Sequence, residues 1–321
     1  MDAVSARPRV DPAFRADVLA GLGAPIPAVP ARWLYDRRGS ELFEEITRLP
    51  EYYLTRTDMA LLERHCPEVA QIAGRGDAVV EFGSGSSAKT PILLRCVEPS
   101  AYVPVDISGD FLRDSAQALQ GQFPALPIYP VEADFTRRIE LPPEVLAAPK
   151  LGFFPGSTIG NLVPRTAVDL LRAMKETLGT GSRLLIGIDR IKDVDILLHA
   201  YDDEAGVTAA FNLNLLGRIN AELDADIPVD AFRHRAIWND ELSRIEMHLE
   251  ALRDVEFTVS GRRFAFAAGS TIHTENSHKY GYRDSRLLLR AAGWGVIREW
   301  TDEKEWFSLM LAEAEPPRFA P

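Results

Sequence analysis

Val79-Val80-Glu81-Phe82-Gly83-Ser84-Gly85-Ser86-Ser87-Ala88-Lys89-Thr90 is the stretch that decides the fold. An apolar run carries an acid near its end, breaks into a turn of small residues and leads into a helix start. Gly83 and Gly85 have no Cβ, so a nucleotide-like cofactor can approach the backbone of that turn closely. In the dinucleotide fingerprint G-x-G-x-x-G the third glycine allows close helix–strand packing, and Ala88 stands at that place here. The fingerprint tolerates alanine, so the spacing weakens a nicotinamide reading without excluding it.

Working outward, strands and helices alternate from residue 77 on, which predicts a parallel sheet. The strands read as Ala78–Phe82, Ala101–Val105 ending at Asp106, Ile128–Val131, Leu151–Phe154, and Arg183–Ile188 ending at Asp189. Helices are predicted at about 57–73, 109–121 and 165–178, the last stopped by Gly179-Thr180-Gly181. The alternation ends near 190. Residues 192–223 read as helical, and 231–270 as antiparallel strands in which Ile245, Met247 and Leu249 alternate. After 280 come a helix at about 284–292 and two strands, Trp294–Trp300 and Trp306–Leu311. So short a link makes that pair antiparallel, because a parallel pair needs a longer crossover. Residues 1–30 read as a partly ordered Pro- and Ala-rich segment, and 31–56 gather Trp33, Tyr35, Phe43, Tyr52 and Tyr53.

The 321 residues, 46% hydrophobic, suffice for one large α/β domain or two smaller ones. A net charge of -11 without a dense Lys/Arg run argues against nucleic-acid binding. No stretch approaches the ~20 apolar residues of a membrane span, and the N-terminus has no apolar leader core. Cys66 and Cys96 make no C-x-x-C pair, so a reducing, cytoplasmic setting is expected. The six histidines show no metal-ligand spacing, so no metal is expected.

Ligands of open α/β sheets sit at the carboxyl ends of the strands. Asp106 there can accept two ribose hydroxyls, and Asp134 can accept an adenine amino group, with Glu81 a third acid at a strand end. Gly156-Ser157-Thr158-Ile159-Gly160-Asn161 follows the fourth strand, and the Asn161 carboxamide can both donate and accept. In Thr274-Glu275-Asn276-Ser277-His278-Lys279-Tyr280, Glu275 and Ser277 share one face of an extended segment. Such a pair suits a neutral imidazole, which presents one donor and one acceptor nitrogen.

Together these motifs resemble the histidine Nα-methyltransferases of ergothioneine biosynthesis, which use S-adenosylmethionine (SAM). The matching blocks include Trp33-Leu34-Tyr35-Asp36, Gly39-Ser40-Glu41-Leu42-Phe43, Leu49-Pro50-Glu51-Tyr52-Tyr53, Glu81-Phe82-Gly83-Ser84-Gly85, Gly156 through Leu162, Tyr201-Asp202-Asp203, Arg244-Ile245-Glu246-Met247 and Thr274-Glu275-Asn276-Ser277. The resemblance implies a class I SAM-methyltransferase (Rossmann-like) α/β sheet of seven strands with an antiparallel last strand. This domain would span 57–190 and 281–321. A second, α+β substrate-binding domain of 10–56 and 191–280 would cap the active site. By the same resemblance SAM would meet Gly83, Ser84, Gly85, Lys89, Asp106, Asp134 and Phe135. Tyr35, Asn161 and Tyr201 would meet the amino and carboxylate groups of L-histidine. Tyr52, Glu275 and Ser277 would meet the imidazole, with Phe43, Gly156 and Met247 shaping the pocket. The products would be hercynine and S-adenosylhomocysteine, made by a monomer. Relatives on this scaffold methylate prenylated tryptophan, so another amino acid is the alternative acceptor.

Overall fold

A computed structural model describes residues 11–85, 89–107 and 109–316. Ala88, the third position of the glycine fingerprint, lies outside the described residues together with Ser86 and Ser87. In chain order the elements begin with α1 (Pro12–Leu22), α2 (Arg37–Ile46), α3 (Tyr53–Ala73), β1 (Ala78–Phe82), α4 (Thr90–Val97), β2 (Ala101–Asp106) and α5 (Gly109–Gln122). There follow β3 (Val131–Glu132), β4 (Lys150–Phe154), α6 (Pro164–Leu178), β5 (Arg183–Asp189), α7 (Val194–Tyr201) and α8 (Val207–Glu222). The chain closes with β6 (Phe232–Asn239), β7 (Arg244–Ala251), β8 (Val255–Val259), β9 (Arg262–Phe266), β10 (Thr271–His278), α9 (Tyr282–Ala291), β11 (Trp294–Thr301) and β12 (Phe307–Ala314). Two compact units result: one takes residues up to Glu51 with Val194–Asn276, the other Tyr52–Asp193 with Ser277 onward.

The second unit carries a seven-stranded sheet in the order β11-β12-β5-β4-β1-β2-β3. β1 to β5 pair in parallel, while β12 runs antiparallel to both β5 and β11, as the short link between the last two strands predicts. This is the class I SAM-methyltransferase sheet. Its central strands are continuous apolar runs because helices cover both faces. Ala78, Val80 and Phe82 of β1 enter a core with Leu170, Leu171 and Met174 of α6 and Leu289 of α9. Val79 points the other way, into a core with Leu61 and Leu62 of α3 and Leu93 and Leu94 of α4.

One strand is much shorter than the sequence predicts. Ile128 makes only an isolated bridge to Tyr102, and β3 proper is Val131–Glu132. Tyr102, Pro104 and Asp106 aim their backbone groups at β3, and Pro104 has no N–H to give. The missing rung splits the ladder although its register is unchanged.

Glu81 is a second correction. It is not the end of β1 but its penultimate residue, paired in register with Pro104. Its side chain is buried and accepts hydrogen bonds from Thr90 Oγ1 at 2.7 Å and Tyr102 Oη at 2.6 Å. Burial pushes this carboxyl up to about 7, against those two hydrogen bonds and the Lys89 charge.

At the end of β5 the Asp189 carboxylate is fully buried. Lys192 Nζ lies 2.6 Å from Oδ1 and Lys279 Nζ 2.7 Å from Oδ2. Tyr53 Oη donates to both oxygens, at 3.0 and 2.7 Å. Burial alone would raise the Asp189 pKa, but the two lysines outweigh it and hold it below the usual range. Burial pulls Lys192 down to about 8 in spite of Asp189. The main chain adds to the tie, because Tyr280 donates its N–H to the Asp189 carbonyl at 3.0 Å.

The first unit holds a three-stranded sheet, β10-β7-β6, and a β8–β9 hairpin. β7 buries Ile245, Met247 and Leu249 in the predicted alternation. The sequence reading leaves α1 unassigned, yet Asp11 caps it, Pro12 opens it, and Phe14, Val18 and Leu22 form a buried stripe. Asp36 caps α2 through the Gly39 N–H at 2.8 Å and also accepts from Asn214 of α8 at 2.8 Å, so one carboxylate joins the two helices.

Two outcomes are expected. The folded state keeps the Glu81 proton up to pH about 7, whereas the unfolded chain releases it near 4.5. Between those values the unfolded state binds fewer protons, so this group removes stability as pH rises, by about 3 kcal/mol in all. Urea unfolding of Glu81→Gln lacks that fall, and parallel pH profiles for the two proteins would contradict it. Asp189→Asn strands two buried ammonium groups and lowers unfolding stability by about 3–5 kcal/mol; a loss under about 1 kcal/mol would show the cluster to be dispensable.

Candidate active site

In the second unit the turn after β1 is tied to β2, since Gly83 and Ser84 both donate their N–H groups to the Val105 carbonyl, at 2.8 and 3.2 Å. Gly83 and Gly85 have φ of +70° and +42°. Their backbone is bare, and a Cβ on Gly83 would stand 3.4 Å from the Phe135 ring. That ring meets Phe82 and Phe154 edge-on, with centroids at 6.4 and 6.2 Å. The Gly85 N–H points at Asp106 Oδ2, 3.2 Å away. Gly83, Ser84, Gly85, Asp106 and Phe135 are thus brought together. A bare positive-φ turn, a flat apolar wall and a carboxylate at the next strand end fit an adenosyl group. Asp134 stands two residues beyond β3, exposed, and accepts from the Thr136 N–H and hydroxyl at 3.0 and 2.6 Å. It closes a turn rather than ending a strand.

Lys89 has a partner that the sequence reading did not name. Its Nζ lies 2.8 Å from Asp58 Oδ2. Asp58, 1% exposed, also accepts from the Gly156 N–H at 2.8 Å. Gly156 has φ +79°, and a Cβ there would stand 3.1 Å from Lys89 Nζ. Lys89 and Gly156 therefore meet through Asp58. The available signal was an acid one turn from Leu54 and Leu62 on the buried stripe of α3.

Asn161 ends a 3₁₀ turn over Thr158–Asn161. Ser157, before that turn, accepts the Asp189 N–H on its Oγ at 2.9 Å. Within the turn a Cβ on Gly160 would meet the His278 carbonyl at 2.8 Å, so only glycine allows the close approach. His278 Nδ1 in turn donates to the Gly160 carbonyl at 2.9 Å. The Asn161 turn is thereby fastened to the end of β10, where Ser277 Oγ accepts from Lys279 Nζ at 2.8 Å. Tyr52 is buried at the N-terminus of α3, next to Tyr53. Tyr53, Lys192 and Lys279 were not singled out as site residues, although Tyr53 and Lys279 lie inside quoted stretches.

In the first unit Tyr35 Oη donates to Glu275 Oε1 at 3.1 Å. The Tyr35 ring meets Phe43 and Phe211 edge-on, with centroids at 5.5 and 5.4 Å. Phe211 completes this aromatic corner and was missed, because a phenylalanine on a helix reads as ordinary core. Tyr201 ends α7, buried, and its carbonyl accepts from His234 Nε2 at 2.8 Å. Asn212 Nδ2 donates to His234 Nδ1 at 2.9 Å, so that imidazole is neutral with its hydrogen on Nε2. Burial lowers the His234 pKa accordingly. Met247 is 2% exposed, and its carbonyl accepts from Thr274 Oγ1 at 3.0 Å, which joins β7 to β10.

The chain matches the profile of the SAM-dependent, histidine-specific methyltransferases over residues 14–314. It is 41% identical over 306 residues to the histidine N-alpha-methyltransferase of Mycolicibacterium smegmatis, covering 94% of each chain. Against the protein of that name from Mycobacterium tuberculosis the identity is 42% over 306 residues, again with 94% of each covered. Ergothioneine biosynthesis protein 1 of Neurospora crassa is 29% identical over 89% of this chain, which spans 33% of that larger protein. The profile match over nearly the whole chain, together with the order and direction of the seven strands, makes this protein an enzyme of the SAM-dependent, histidine-specific methyltransferase family.

Proposed function

We propose that the enzyme transfers three methyl groups to the α-amino nitrogen of L-histidine, giving hercynine in the first step of ergothioneine biosynthesis. The observation that carries this reading is the Tyr35–Glu275 pair at an aromatic corner. Glu275 is 7% exposed, and its carboxylate accepts from Tyr35 at 3.1 Å beside the rings of Phe43 and Phe211. A buried carboxylate placed so can accept the N–H of an imidazole. Ser277, two residues on along β10, offers a hydroxyl suited to the other ring nitrogen. The names of the two mycobacterial relatives agree with that acceptor.

Bound SAM supplies an electrophilic methyl group on a sulfonium. Gly83, Gly85 and Phe135 give the adenosyl moiety a bare turn and a flat wall, and Asp106 accepts its ribose hydroxyls. Lys89, held by Asp58, is placed for the carboxylate of the donor's amino-acid part. Asn161 orients the α-amino and carboxylate groups of the acceptor, and the family resemblance assigns Tyr35 and Tyr201 to the same groups. Such positioning, at about 3–3.5 Å between nitrogen and methyl carbon, is the main catalytic contribution. As the N–C bond forms, the C–S electron pair returns to sulfur. The acceptor reacts as the free amine; its nitrogen releases one proton to solvent before the second transfer and one before the third, and after the third it has no N–H left. Tyr35 and Tyr201 are orienting groups rather than bases, since a phenol has a pKa of about 10. The faces of Tyr35 and Phe43 favour the growing ammonium through cation–π attraction.

Mass spectrometry after incubation with SAM and each amino acid separately gives mono-, di- and trimethylated histidine. Multiple methylation of another amino acid in its place would overturn the acceptor, and the absence of any methylated amino acid would overturn the activity. Glu275→Ala raises KM for histidine about 10- to 100-fold, the worth of a hydrogen bond to a charged group, with SAM affinity within a few-fold. Asn161→Ala lowers kcat/KM at least about a hundredfold, or roughly 3 kcal/mol; activity within a few-fold of wild type would remove its assigned role.

A further inference from the structure

We propose that Glu246, His248 and His273 form a binding site for one divalent transition-metal ion of the zinc class. The inference is independent of which amino acid is methylated. The three side chains each offer one ligand atom, and these atoms all lie within 4.8 Å of one another. Their spacing in sequence shows no metal motif, and strand pairing is what assembles them. Alternation along β7 sets Glu246 and His248 on the face opposite Met247. His273 arrives from the neighbouring β10, its ring 5.0 Å from that of His248.

The surroundings of the cluster are those of a ligand set. One oxygen of Glu246, Oε1, accepts from Arg244 Nε and Nη2 at 2.8 and 2.6 Å and from Asn239 Nδ2 at 2.9 Å. The other, Oε2, faces His248 Nε2 at 3.0 Å. A carboxylate gripped on one oxygen and presented by the other is the outer-shell arrangement of metal sites. Arg244 also confines coordination to that single oxygen. His273 Nε2 lies 3.0 Å from the Glu275 carbonyl, which can only accept. Nε2 therefore carries the hydrogen and Nδ1 keeps its lone pair, the usual state of a ligating imidazole backed by a carbonyl. His248 Nδ1 is buried with no hydrogen-bond partner among the described residues. An ion on Glu246 Oε2 reaches His248 through Nε2, 3.0 Å from that oxygen, which leaves the ring hydrogen on Nδ1.

Two histidines and a glutamate make a three-ligand set with a fourth position left for water. The ion would join β7 to β10, the strand that carries Glu275.

The test uses the full chain, free of any affinity tag and stripped with a chelator. Cobalt(II) is titrated by visible absorption and zinc chloride by calorimetry, both without SAM. One equivalent of each is expected to bind, cobalt with intense d–d bands, and zinc to displace it. His248→Gln and His273→Gln each weaken zinc at least tenfold while circular dichroism is unchanged. Should either variant fail to fold, nitrogen-15 imidazole spectra of the wild type decide. Zinc then shifts the rings of two of the six histidines, and these are His248 and His273. Absence of saturable binding, affinity that survives both substitutions, or shifts confined to other histidines would each overturn the site.

Discussion

One buried carboxylate governs the construction of the second unit. The chain enters that unit at Tyr52, leaves after Asp193 and returns at Ser277. Within three residues of each passage a side chain reaches Asp189: Tyr53 at the entry, Lys192 at the exit and Lys279 at the return. The network carries two ammonium groups against one carboxylate, so its members depend on one another. Loss of the acid leaves buried charge uncompensated, which costs far more than an exposed pair could contribute. The same residue ends β5 and takes the Ser157 hydroxyl on its N–H, so the turn that bears Asn161 is fixed from the same point. The turn that bears Asn161 thus rests on a charge cluster that the proposed mechanism does not use.

Much of the second unit was legible because both faces of its sheet are covered. Continuous apolar runs bounded by Gly and Asp leave little doubt about β1, β2, β4 and β5, and a five-residue link allows only an antiparallel β11–β12 pair. The failures have local causes. Pro104 removes the rung that would have made β3 a full strand, and a partner's proline cannot be read from the strand itself. Glu81 resembled a ligand-facing acid, yet alternation turns it inward to Tyr102 and Thr90. α1 was hidden by the Pro- and Ala-rich composition around it, although its stripe of Phe14, Val18 and Leu22 was present.

The site residues divide along the same line. The glycine turn, Asp106 and the Asn161 loop follow from strand ends, which the α/β pattern places. Asp58, Phe211 and the Glu246–His248–His273 group depend on which helix or strand lies alongside, and only the folded chain reveals that. The pairing of Tyr35 with Glu275 brings together residues 240 positions apart. Resemblance named both, whereas residue spacing alone could not have joined them.

The central claim is that the α-amino nitrogen, and not a ring nitrogen, receives the methyl groups. Carbon-13 NMR of the product formed from histidine and methyl-labelled SAM tests it most directly. The account predicts a single trimethylammonium resonance with long-range coupling to the α-carbon proton. A methyl resonance coupled to the imidazole ring protons would contradict it.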